Sequence, residues 1–255
     1  FLYIFFVYLI WSYNINTFLN NPFFFDYIMH VLTIDFNGNP NVGLYGFCTD
    51  KFCLLGSEVS KRIADDVSKA LGVPVLQTTI CGTSLIGVFV AGNSNKIIVP
   101  SIVFDSELEF LKKNNIDVTV IDTKLTALGN NLLVNDTGCL ANPDFSSDVK
   151  KRIREALGVP LKPGTIAGLP TVGSLAALNS DICLTHPDID NEELEKIENL
   201  LGIKVKTGTV NMGVPFISSG AICNDSGFVI GSVSGGPEVA WFDEVMGYLE
   251  KYNKN

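Results

Sequence analysis

From residue 31 to about residue 247, short apolar runs and amphipathic stretches alternate in a fixed order. A glycine-led apolar run opens each unit: VGLYGFC from Val42, IGVFVAG from Ile86, LGNNLLV from Leu128 and VGSLAAL from Val172. Runs of this length, bounded by polar turns, predict a first strand. The turns are clearest at Asn135–Gly138 and Asn224–Gly227, where Asn, Asp and Gly tolerate the positive φ of tight hairpins. A short second strand follows (FCLL, KIIV, GCLA, ICLT, FVIG). Apolar residues then step by three and four, as in Val59, Ile63, Val67 and Leu71, or Val239, Phe242, Val245 and Leu249. That spacing predicts an amphipathic helix, with Ser57, Ser106, Ser147 and Asn191 as N-caps. A third strand ends the unit (VPVLQTTI, IDVTVID, VPLKPGTI, IKVKTGTV).

This ββαβ order recurs five times. Helix-start points at 57, 100, 143, 187 and 231 are 43 or 44 residues apart. Thr49, Asn93, Asn135, Asn179 and Asn224 keep the same step independently. Gly72, Gly158 and Gly202 are each followed seven residues later by a threonine: Thr79, Thr165 and Thr209. A repeat of this period marks a repeat architecture. One unit cannot bury its helix stripe and both strand faces alone, so units must stack. No polar end cap is visible, and a closed ring removes the open sheet edges, so the expected fold is an α/β ring of five ββαβ repeats with pseudo-five-fold symmetry. The expected repeats are 31–80, 81–124, 125–167, 168–210 and 211–250, within one domain over 29–250.

Charge and composition narrow the function. The net charge of −9 argues against gripping nucleic acid, DNA included, through the protein's own basic surface. The six cysteines form no C-x-x-C pair, which predicts reduced thiols, no metal centre and a cytoplasmic location. Cys53, Cys139 and Cys183 share one position, with Lys96 and Phe228 in the other two units. Cys48 and Cys53 flank the first hairpin and are the one candidate redox pair. Of the two histidines, His186 in LTHPD matches Asn142 in LANPD, so a turn-forming surface role outweighs acid–base work. The glycines of GSVSGGPE lack the Lys-Ser/Thr of a phosphate loop, and the acidic tracts DSELE and DIDNEELEKIE read as solvated first turns of helices. No catalytic residue and no cofactor is expected. The first-strand loops carrying Gly43, Gly87, Gly129 and Gly173 fall on one rim by repetition, close to the axis. Such a composite surface is where a repeat protein meets its partner.

Residues 1–28 stand apart. They contain no Lys, Arg, Glu, Gly or Ala, and Phe, Tyr, Ile and Asn, all with A/T-rich codons, dominate. The apolar run Phe1–Tyr13 is short for a membrane span, and no signal-peptide pattern accompanies it. The expectation is translated upstream sequence with Met29 as the native start; the alternative is an N-terminal anchor.

Six tracts carry a family resemblance: Leu76–Gly87 (LQTTICGTSLIG), Thr126–Leu140 (TALGNNLLVNDTGCL), Gly164–Ser174 (GTIAGLPTVGS), Cys183–Asp190 (CLTHPDID), Gly208–Gly213 (GTVNMG) and Gly235–Glu238 (GGPE). With them the chain resembles translation initiation factor six, the ribosome anti-association factor of archaea and eukaryotes, in its archaeal form. The resemblance implies a pentein fold. It also implies a monomer that binds the intersubunit face of the large ribosomal subunit, beside a basic ribosomal protein and a ribosomal RNA loop. There it blocks the small subunit and serves large-subunit maturation. By the same resemblance Leu128, Gly129 and Asn130 are the first contact candidates, with Gly43, Gly87 and Gly173 as weaker ones. The fifth unit carries Ser218 or Ser219 where the others have glycine. The pentein class also holds guanidine-modifying enzymes with a Cys nucleophile and a His. That reading would need His186 on the central channel.

Overall fold

The computed structural model describes residues 30–249, so the expectations for residues 1–28 and for Met29 lie outside the described residues. Five three-stranded sheets surround a central axis, each with an inner, a middle and an outer strand. In the first, β2 (Gly46–Cys48) runs antiparallel to β3 (Cys53–Gly56), and β3 runs parallel to β4 (Val75–Thr78). The next three repeat it: β5 (Ala91–Gly92), β6 (Ile97–Pro100) and β7 (Val118–Ile121); β8 (Leu132–Val134), β9 (Cys139–Ala141) and β10 (Leu161–Pro163); β11 (Ala176–Leu178), β12 (Ile182–Thr185) and β13 (Lys204–Thr207). The fifth sheet has β14 (Ala221–Cys223) and β15 (Phe228–Gly231) from the end of the chain, but its outer strand is β1 (Val31–Ile34). The ring therefore closes by joining the first strand to the last sheet. This corrects the expected first repeat of 31–80, whose opening strand belongs to the fifth unit in space.

Two local expectations are also corrected. The glycine-led runs do not begin as strands: Val42–Tyr45, Ile86–Phe89 and Leu128–Asn131 are single helical turns, residues 172–175 form a turn, and the strand starts after each; Ile217–Gly220 is the corresponding helical turn of the fifth unit. The turns within the hairpins do not use positive φ. Instead Asn93, Asn135, Asn179 and Asn224 accept on Oδ1 the N–H groups two and three residues on. Positive φ occurs instead in turns after the outer strands, at Asn37–Gly38, Cys81–Gly82, Ala167–Gly168 and Asn211–Gly213.

Five helices fill the joints between sheets: α1 (Lys61–Leu71), α2 (Asp105–Lys113), α3 (Ser147–Leu157), α4 (Asn191–Leu201) and α5 (Gly236–Val245). Ser60, Ser146 and Asp190 cap α1, α3 and α4, accepting from Ile63, Val149 and Glu193, which shifts the expected caps by one to three residues. α2 and α5 start after Phe104 and Gly235, and Glu107 and Glu238 reach back to the N–H of those residues. Between adjacent sheets each helix buries its apolar stripe in one of five clusters, so the core is a necklace of five joints. The cysteine position in β3, β9, β12 and β15 is occupied in β6 by Ile97, not Lys96.

Candidate partner-binding face

Because each inner strand is antiparallel to its middle strand and the outer strand parallel to it, one face of the ring collects four kinds of feature. These are the helical turns, the carboxyl ends of the middle and outer strands, the positive-φ turns and the helix N-termini. The opposite face collects the five hairpins and the helix C-termini. The first is the loop face and the second the hairpin face.

On the loop face the helical turns interlock around the axis. A β-carbon on Gly87 would overlap the Gly43 carbonyl oxygen and stand 2.7 Å from that of Gly46. Gly129 meets the carbonyls of Gly87 and Val90 in the same way, Gly173 those of Gly129 and Leu132, and Gly43 those of Ser218 and Ala221. Ser218, not Ser219, therefore stands at the fifth glycine position. Gly43 and Gly173 are buried, and Gly87 and Gly129 half-buried. Leu128 is fully buried in the joint beneath, so it can act only by seating the residues after it. The next residue of each turn, namely Leu44, Val88, Asn130, Ser174 and Ser219, is half-exposed. The Asn130 carbonyl accepts from Gly173 and Ser174, and its side chain makes no hydrogen bond among the described residues.

Three joints carry a latch that the sequence reading missed. Glu107 accepts from the Thr79 hydroxyl at 2.7 Å and from the N–H groups of Cys81, Gly82 and Phe104 at 2.8–3.0 Å. Glu193 accepts from Thr165, Ala167 and Gly168. Glu238 accepts from Thr209, Met212, Gly213 and Gly235. Each carboxylate clamps the left-handed turn of the preceding unit onto the next helix. So the acidic tracts are not merely solvated: Glu107 is 4% exposed. Burial pushes the Glu107 carboxyl up, but the Thr79 hydroxyl and the three N–H groups together hold it below the usual glutamate range. The same opposition leaves Glu238 lowered. Glu107→Gln should therefore cost about 1–3 kcal/mol at neutral pH. Because the folded-state carboxyl titrates lower than the unfolded one, that difference should be complete above the unfolded value of about 4.3 and vanish as pH falls through the folded one. Urea unfolding of both proteins from pH 7 to pH 3 checks this.

Around the latches the loop face is acidic and partly apolar. Glu58, Asp105, Asp122, Asp144, Asp148, Asp188, Asp190 and Glu192 are exposed there, against Lys61, Arg62 and Lys124. Met212 is 81% exposed, and Ile102, Phe104, Leu169, Phe216 and Val233 are exposed too. All six lie in loop-face segments.

The hairpin turns are polar, whereas the axis is lined by glycines and apolar side chains such as Val90, Leu132, Ala176 and Ile222. The hairpin turns enclose a cavity of about 240 Å³ rimmed by Asp50, Ser94, Asp136, Ser180 and Asp225, with Cys48 and Cys223 below. Ser94 donates to Asp136, and Ser180 to Asp225. Cys48 does pair with Cys53 in register, but burial, then the Cys53 thiol, raises its own thiol, and burial lifts Cys81 to about 11 and Cys183 and Cys223 to about 12. These are poor nucleophiles near neutral pH. His186 Nδ1 accepts the Asp188 N–H at 3.0 Å, the bond Asn142 Oδ1 takes from Asp144. It is the expected turn-former, but buried, not at the surface. His30 sits 3.1 Å from Asp243, tying the start of β1 to α5. No group of three or more metal-ligating side chains was found among the described residues. No helix among them is long and apolar enough to cross a membrane.

Solved structures with resembling folds include DDAH from Pseudomonas aeruginosa, a cysteine-to-serine mutant complexed with citrulline, at TM-score 0.46 and 15% identity over 66% of this chain and 68% of that one. Another is the N-terminal domain of ArgZ, an arginine dihydrolase of cyanobacteria, at TM-score 0.47 and 13% identity over 66% and 68%. Sequence relatives are far nearer. Translation initiation factor 6 of Pyrococcus furiosus is 46% identical over 227 residues, covering 87% of this chain and 100% of the relative. Its namesake in Thermococcus kodakarensis is 44% identical over 228 residues (87% and 100%), and that of Haloquadratum walsbyi 36% over 221 (86% and 98%). The profile of the eIF-6 family matches residues 31–245, which takes in the strand that closes the ring and the helix it closes against. The chain belongs to the eIF-6 family.

Proposed function

We propose that the protein acts as a non-enzymatic translation factor: it binds the intersubunit face of the large ribosomal subunit as a monomer and excludes the small subunit by occupying that face. The loop face is the contact surface in this reading. The observation that carries it is the half-exposed ring of residues topped by Asn130, whose side chain is unused within the described residues, inside an acidic rim with exposed apolar side chains. An acidic rim suits a basic ribosomal protein as the main neighbour, with ribosomal RNA at the margin. Gly43, Gly87, Gly129 and Gly173 support the surface by letting the turns interlock, and Leu128 holds the Gly129–Asn130 step from below.

Added to purified subunits, the protein should move a sucrose-gradient profile from joined ribosomes toward free subunits, and it should co-sediment with the large subunit alone. An unchanged profile at several-fold excess would sink the reading. Asn130→Lys places a cation toward a basic partner and should weaken large-subunit binding about tenfold or more while leaving thermal unfolding unchanged. Raising salt should weaken binding of the parent protein.

A further inference from the structure

The five joints are not equivalent on the hairpin face, and the exception has the features of a binding site. In four of them a buried Leu or Met ends the helix or directly follows it: Leu71, Leu157, Leu201 or Met246. The carbonyl of that residue accepts the side-chain amide of a hairpin asparagine. Asn224 reaches Leu71 at 2.9 Å, Asn93 reaches Leu157 at 3.1 Å, Asn135 reaches Leu201 at 2.8 Å and Asn179 reaches Met246 at 2.9 Å. Between the first and second sheets both parts of the closure are missing. Asn114 stands where the others place the apolar plug. Thr49 stands where the others place asparagine; its hydroxyl still accepts from Lys51 and Phe52, but it has no amide to send across.

What remains is a cleft of about 370 Å³, within the range of small-ligand and side-chain pockets. Its wall is apolar, built from Phe52, Leu76, Ile97 and Ile116. Its rim holds Lys51 and Lys96, and Lys112 and Lys113 stand in the last turn of α2, which ends at it. Facing charges are few: Asp117 pairs with Lys96 at 3.1 Å and Glu109 lies 4.0 Å from Lys113, while Lys51 donates to the Ser94 carbonyl. Four lysines thus stand at or beside the cleft against Asp117 and Glu109, a local excess of positive charge on a chain of net charge −9, and the apolar wall is edged by Asn93, Ser94, Asn114 and Asn115.

We propose that this cleft docks an acidic peptide segment of a partner protein, which inserts one aliphatic side chain where the other joints carry Leu or Met. Charge complementarity selects an acidic segment. The four filled joints identify the kind of side chain that fits. The site is on the face opposite to the proposed ribosome contact and does not depend on that reading.

The test uses a short fluorescein-labelled peptide with one leucine flanked by glutamates, followed by anisotropy against the full chain. Saturable binding is expected, falling about tenfold or more when the leucine is replaced by serine, and likewise with Lys51→Glu/Lys96→Glu. Asn114→Leu with Thr49→Asn should rebuild the closure seen in the other joints: the melting temperature should rise and peptide binding should disappear. No saturable change at millimolar peptide overturns the proposal, as does binding that survives the rebuilt closure or the leucine-to-serine exchange.

Discussion

Gly87→Ala should destabilise the ring by about 3 kcal/mol or more, read as a drop in urea midpoint with an unchanged slope. The added methyl meets backbone, the Gly43 and Gly46 carbonyl oxygens, and neither can rotate away as a side chain would. Relief requires one helical turn to move off its neighbour, and the interlock passes that strain around the axis. Gly236→Ala is the matched control. No atom lies within 4 Å of its β-carbon, and it begins a helix, so its effect should be close to neutral. Equal losses at the two positions would show that the axial contact is not the cause.

Removing β1 should cost still more. A chain starting at Phe36 lacks four ladder pairs, Val31–Phe228 to Ile34–Gly231. It also loses Leu32 and Ile34 from the joint between the fifth and first sheets, Val31 from the one before it, and the His30–Asp243 contact. At about 1 kcal/mol per hydrogen bond plus half-buried side chains, the loss is on the order of 5 kcal/mol, comparable to a whole domain's margin. A chain starting at Met29 keeps all of these contacts and is the reference. A synthetic peptide of residues 30–37 should rebind the shortened chain by strand addition and recover part of the loss. A shortened chain as stable as the one from Met29 would show that the ring does not need closing.

The contrast between those sites tracks what the sequence could reveal. The period of the repeat, its strands and its helix stripes rest on local patterning, and each unit confirmed the others. The opening helical turns escaped because four apolar residues carry no period that separates one turn from a strand. The closing strand escaped because its partner lies at the far end of the chain. The Asn and Thr landmarks stand out by position, but their chemistry does not. Asn93 bonds the end of α3 in the next unit, and Thr79 serves a carboxylate 28 residues on. Reciprocal spacing of Thr79, Thr165 and Thr209 with Glu107, Glu193 and Glu238 was the available signal for the latches. At the candidate face, family tracts indicated Asn130, but only packing separates it from Leu128, two residues earlier and fully buried.

The closing strand also sets an order of events during synthesis. Emerging before the other described strands, β1 must wait for β15, whose paired residues lie about 197 positions later, which at about 5–20 residues per second is roughly 10–40 s. Through that interval its apolar side chains and unpaired backbone are open to any other nascent edge. The last helix and hairpin then turn a string of four finished units into a ring in one late step. A permuted gene that carries β1 after α5 would pair it as soon as it emerges, trading this delay for ordinary neighbour-to-neighbour folding.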